Sequence, residues 1–131
     1  MASLGDCRDE IERLHQQFVR CYTGQQADIG PIDAALVDDF GMVAPDGAVV
    51  DRESVLAMVR EKADSYAPGE FDIEIRNVER IDEGVDLTVC RYEEWQRTPG
   101  GRDWRVSTVV FRTAEDAPTG LSWVSVHETP Y

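Results

Sequence analysis

At 131 residues, 42% of them hydrophobic, the chain has the size of one domain that buries its own core without disulfides or metals. Its 26 acidic residues against 13 basic ones leave a net charge of -13, a surface that repels phosphate backbones and anionic lipids and so argues against nucleic acid or membrane as a partner. Cys7, Cys21 and Cys90 are odd in number and lack CxxC spacing, and residues 1–6 have no basic or long apolar segment; both features predict a cytoplasmic protein with reduced thiols, no leader and no zinc site.

Residues 6–23 are predicted as an amphipathic helix, because Ile11, Leu14, Phe18 and Tyr22 recur at helical spacing and Gly24 follows them. A second helix is predicted over 31–40, with Pro31 in its first turn and Ile32, Ala35 and Leu36 facing inward. A short strand over 40–44, a turn at Pro45-Asp46-Gly47 and a return over 48–50 form a hairpin. Asp51 caps a third helix that runs to about Ala63. Beyond Gly69 the period changes from helical to alternating. Strands are predicted over 71–76, 85–95, 104–112 and 121–128, separated by turns rich in Gly, Asp and Pro. Helices segregated from a run of antiparallel strands mean an α+β fold.

Lys62 is the only lysine, beside twelve arginines. Low lysine with a large acidic excess fits adaptation to a salt-rich cytoplasm, where screening relieves self-repulsion. Arginine codons displacing lysine codons in a GC-rich genome are the other reading.

Three stretches carry a family likeness: residues 10–22 (EIERLHQQFVRCY), residues 35–40 (ALVDDF) with the following RESVL helix, and residues 123–128 (WVSVHE). Together they resemble the nuclear transport factor 2-like superfamily and, within it, the SnoaL-like domains of unknown function. The resemblance implies a cone-shaped α+β barrel, with three N-terminal helices packed on a strongly curved, mostly antiparallel sheet. It specifies fold far better than activity. Ketosteroid isomerase chemistry in that superfamily needs a tyrosine, an aspartate base and an aspartic acid. The matching positions here hold Phe18, Ala44 and Val109, which argues against that reaction.

By the same resemblance, Trp123, Ser125 and His127 line the cone from the last strand, joined by Val109, Phe111, Phe18, Tyr22 and Met42, with Tyr92 as a neighbour. His127 is the candidate acid or base, with Tyr22 or Tyr92 assisting, and Glu128 is expected on the opposite face. His15 lies at the edge of the first helix's apolar stripe. Asp38 and Asp39 read as a solvated helix end. Arg91, Glu93 and Glu94 read as a pocket cluster or as cross-strand pairs on a surface. Trp95, Trp104 and Trp123 read as core or interface residues before they read as an aromatic cage. No phosphate loop, metal-ligand spacing or cofactor motif is present, so no cofactor is expected.

The leading expectation is a pocket protein that binds a small, largely apolar molecule without catalysis. An isomerase, hydrolase or dehydratase working through His127 is the alternative, and a structural association domain is the third. Val106, Thr108 and Val110 form an apolar row opposite the pocket face. A homodimer through that outer sheet face, with Trp104, Val106 and Thr108 near the contact, would cover it.

Overall fold

The computed structural model describes residues 2–130; Met1 and Tyr131 lie outside the described residues. The first helix, α1, spans Leu4–Tyr22 and starts earlier than the sequence suggests. Ser3 and Asp6 close a reciprocal cap, each side chain accepting the other's backbone N–H at 3.0 Å. Gly24 ends the helix with φ +72°, and a side chain there would collide with the Asp64 carboxylate.

The second helix, α2, is only Gly30–Asp33, and the strand β1 follows over Leu36–Val43. Residues expected to be helical to position 40 are therefore mostly extended. The reason lies in a register shift between Leu36 and Gly41. Between those pairs β1 advances five residues against two on β6, and a strand with such an irregularity loses its strict two-residue period. Leu36 and Phe40 are buried four residues apart, with Asp38 and Asp39 exposed between them, and that spacing imitates a helix. The two aspartates belong to a strand, not to a helix terminus.

Strand β2 (Val49–Asp51) pairs back on β1, and α3 (Arg52–Lys62) starts where Asp51 accepts the Ser54 N–H at 2.9 Å. Four long strands follow: β3 (Asp72–Glu83), β4 (Leu87–Thr98), β5 (Gly101–Thr113) and β6 (Leu121–Pro130). They form one six-stranded sheet in the order β2-β1-β6-β5-β4-β3. All pairs are antiparallel except β1 with β6. The sheet curves around the helices and stays open, with β2 and β3 at its edges. Strand β3 continues past residue 76 because Asn77 adopts φ 53° and lets the pairing shift, rather than ending the strand.

The inner face is set by alternation along β5, where Ser107, Val109 and Phe111 are buried. On β6, Trp123 pairs with Phe111 but Ser125 pairs with Val110, so Val124 is the extra residue of a bulge. One extra residue reverses the side-chain parity beyond it. Trp123, Val126 and Glu128 therefore face inward, whereas Ser125 and His127 are exposed on the outer face. Strict alternation from Trp123 predicts the reverse, with Ser125 and His127 inside and Glu128 outside. Val109 and Phe111 have no exposed surface and belong to the core with Ile11, Cys90 and Trp123.

Candidate functional site

A cavity of about 430 Å³ lies between α1, α3, the β1–β2 hairpin and the inner sheet face. Its walls are apolar and aromatic. They include Phe18 and Tyr22 from α1, Phe40 and Met42 from β1, Met58 from α3, and Phe71 ahead of β3. Of the residues expected there, Phe18, Tyr22, Met42, Tyr92 and Trp123 line the cavity. Val109 and Phe111 lie in the core behind it, Phe111 meeting Trp123 edge to face at 4.8 Å. Ser125 and His127 are on the other side of the sheet, so His127 has no access to the cavity.

The floor of the cavity is polar. His15, Tyr92, Glu94, Arg105 and Glu128 converge there from α1, β4, β5 and β6. Cross-strand pairing places Glu94 beside Arg105, and Ser107 between Tyr92 and Glu128. His15 is 5% exposed, with the rings of Phe18 and Tyr92 each 5.6 Å away.

Both imidazole nitrogens face acceptors. Nδ1 lies 2.7 Å from the Ile11 carbonyl oxygen, and Nε2 lies 3.0 Å from Glu94 Oε1. A carbonyl can only accept, so Nδ1 carries hydrogen, and a second proton is shared between Nε2 and Glu94. Burial disfavours charge on His15, but the Glu94 carboxylate and the Ile11 carbonyl outweigh it and raise its pKa. Burial alone would likewise raise Glu94. His15, and then Gln96 Nε2 donating at 2.6 Å, hold it below its ordinary value instead.

Glu128 is treated differently. It is 9% exposed, and its nearest cation is Arg105, with Nη1 3.6 Å from Oε2. Arg105 is committed elsewhere, donating through Nη2 to Asp103 Oδ2 at 2.5 Å. Burial, and then the like charge of Glu94, push the Glu128 carboxyl up to about 7, with Arg105 offsetting only part of this. The buried Nε of Arg105 has no hydrogen-bond partner among the described residues. Burial also raises the phenols of Tyr22 and Tyr92, which remain protonated donors at neutral pH.

A second buried carboxylate lies behind the cavity. Glu10 is fully buried on α1, and each of its oxygens accepts two hydrogen bonds. Arg13 donates to both at 2.9 Å, Thr119 Oγ1 to Oε1 at 2.7 Å, and Trp123 Nε1 to Oε2 at 2.7 Å. This knot ties α1 to β6 and to the loop before it.

The remaining charged candidates separate by face. Glu94 is inside, whereas Arg91 pairs with Glu79 at 2.9 Å and Glu93 accepts from Asn77 at 2.8 Å, both on exposed positions. Trp95 and Trp104 stack at 4.4 Å on the outer face, with Arg76 4.2 Å above Trp95. Trp123 is on the inner face, so the three tryptophans form no cage. Among the described residues, no group of three or more His, Cys, Asp or Glu side chains could hold a metal ion. No helix among them is long and apolar enough to cross a membrane.

Sequence reasoning left Glu94 open and gave His15 a marginal place, although parity with Tyr92 assigns Glu94 inward. It missed Arg105, Glu128 and the buried role of Glu10. Parity with Val109 was a signal for Arg105; for Glu128 the unseen bulge removed it.

No protein-family model matches the chain, and no curated protein matches it. Solved structures do. The chain is similar to an NTF-2 like protein of unknown function from Pseudomonas aeruginosa, at 30% identity over 96% of this chain and 98% of that one, with a TM-score of 0.88. It is similar in fold to an NTF2-like protein of unknown function in nutrient uptake from Rhodospirillum rubrum, at 18% identity, 89% and 95% coverage and a TM-score of 0.59. It is also similar in fold to the association domain of C. elegans CaMKII, at 14% identity, 93% and 94% coverage and a TM-score of 0.65.

Proposed function

This chain belongs to the NTF2-like family, and from that premise we propose that it works as one SnoaL-like domain whose cavity binds a small, largely apolar molecule. The observation that carries this reading is the cavity itself: about 430 Å³, walled by aromatic and aliphatic side chains, with a few polar groups converging at one end. That combination is the usual make-up of a small-molecule site, in which the walls supply affinity and the polar groups fix orientation. Three buried, unpaired cysteines suit a reducing cytoplasm as its place of work. Calorimetric titration with the neutral probe 2-naphthylmethanol tests the pocket. We expect one molecule to bind per chain, and Met42→Trp, which fills the cavity from β1, to abolish binding. Equal uptake by Met42→Trp and the unmodified protein, or no uptake by either, would overturn the reading.

A second reading concerns self-association and is compatible with the first. The Trp95–Trp104 stack and the half-buried Val106 and Val110 form a row on the outer sheet face, and an association domain is among the similar folds. We propose a homodimer through that face, near Trp104, Val106 and Thr108. Sedimentation should give a dimer that Val106→Asp splits, because a charge buried there has no partner. A monomeric unmodified protein at micromolar concentration and high salt would contradict this.

A further inference from the structure

The charges that line the cavity balance only if Arg105 is assigned wholly to Glu128, and the distances do not assign it so. His15 and Glu94 share a proton at 3.0 Å, so together they carry no net charge whichever atom holds it. Arg105 is shared: it lies 2.5 Å from Asp103, which is outside the cavity lining, and 3.6 Å from Glu128. At the rim, Lys62 and Asp46 line the cavity and add one charge of each sign. Tyr22, Tyr66 and Tyr92 also line the cavity and add phenols but no formal charge. Glu128 is left underpaired. Among the described residues its only cation within salt-bridge reach is the shared Arg105, at 3.6 Å.

We propose that the missing cation belongs to the ligand, and that the cavity takes a small organic ammonium compound whose charged nitrogen docks at Glu128 while its apolar body fills the aromatic walls. The inference rests on the pocket reading above and names the chemical class that the pocket selects.

Two independent features favour a cation over a neutral or anionic ligand. The first is the wall. Phe18, Tyr22, Tyr92 and Trp123 surround the approach to the floor, and aromatic faces attract ammonium groups through their negative quadrupole. One such contact is already present in the chain, with Lys62 Nζ 5.9 Å from the centroid of the Tyr22 ring. The second is the field. A net charge of -13 draws cations toward the molecule and raises a free-energy barrier to carboxylates. Arg105 does not reverse this preference, because Asp103 and Glu128 both lie against it.

The proton on Glu128 gives the ligand a recognisable signature. With its carboxyl pushed up to about 7, Glu128 is half protonated near neutral pH, whereas an ammonium seated beside it requires the carboxylate. Binding near pH 6.5 should therefore release a proton to the buffer. Affinity should rise with pH until Glu128 is fully ionised in the free protein.

A series of three matched probes tests this by calorimetry: 2-naphthylmethylammonium, 2-naphthylmethanol and 2-naphthoate. At pH 8 we expect the ammonium to bind about tenfold or more tighter than the alcohol, and the carboxylate weaker than both. Between pH 8 and pH 6 the ammonium should lose several-fold in affinity while the alcohol stays constant. Titrations at pH 6.5 in buffers of different ionisation enthalpy should show proton release for the ammonium alone. Glu128→Gln should remove the preference and the proton release but keep the alcohol bound. If that variant does not fold, the three probes and the proton count on the unmodified protein decide the matter. An alcohol that binds as tightly as the ammonium, or a carboxylate that binds tighter, would overturn the inference and leave the pocket reading standing. Failure of all three to bind would overturn both.

Discussion

Glu10 and Glu128 are both buried carboxylates on the inner side of the same sheet, yet their surroundings differ in kind. Glu10 accepts four hydrogen bonds, two of them from the guanidinium of Arg13, and does not line the cavity. Glu128 borders the cavity and has one shared guanidinium at 3.6 Å. A buried charge whose lone pairs are all met holds a fold in one arrangement, whereas one left underpaired costs stability and is open to something from outside. The contrast separates a fully satisfied knot from an underpaired cavity floor.

The largest effect should come from breaking the knot. Glu10→Ala leaves Arg13 and the Trp123 indole N–H without their acceptor, and we expect a loss of about 3–5 kcal/mol in urea unfolding. A loss under 1 kcal/mol would place Glu10 with Glu128 and dissolve the contrast.

The next effect has the opposite sign. Glu128 lies at about 7 in the fold against an ordinary value of 4.5, so between those values the folded chain holds a proton that the unfolded chain has released. Stability must then fall as pH rises through that window, by about 3 kcal/mol for a shift of this size. Glu128→Gln removes the penalty. We expect it to match the unmodified protein near pH 4.5 and to exceed it at pH 8, as read from paired urea titrations. His15, whose pKa is raised, also contributes stability that fades as pH climbs through its folded value; Glu128 is the smallest of the causes that raise it, so most of this contribution is common to both proteins.

Smaller again is Trp123→Phe, which keeps most of the ring packing but removes one of the four donors to Glu10. A loss of about 1–3 kcal/mol is expected in urea unfolding. The smallest difference concerns salt. Molar potassium chloride should raise the thermal midpoint if the acidic surface is a salt adaptation, and by the same increment in Glu128→Gln, since buried charges are poorly screened. A flat or falling midpoint would remove the salt-adapted reading.

Much of the fold was legible because long stretches keep one period. The α1 stripe of Ile11, Leu14 and Tyr22, the Asp51 cap and the alternation along β4 and β5 all follow from local rules that the tertiary structure leaves intact. What the sequence hid is concentrated at irregularities. In β1, the shift between Leu36 and Gly41 produced a false helical spacing. In β6, the extra residue at Val124 exchanged His127 for Glu128 at the cavity. The β6 bulge has no residue signature of its own, as the residue between its flanking pairs is Val124 rather than a glycine. The aromatic wall residues of the cavity were therefore readable, and its charged floor was not. Glu10 was hidden for a different reason: an acidic residue on a helix is ordinarily solvated, so nothing in the local sequence signals that it is buried.

The most direct test of the account is the protonation of Glu128, followed by carbon-detected NMR of its side-chain carboxyl across pH. The free protein should titrate near 7, well above its ordinary value of 4.5, and saturating 2-naphthylmethylammonium should pull that midpoint down. A carboxyl that titrates near 4.5 and stays there when the ammonium is added would contradict it.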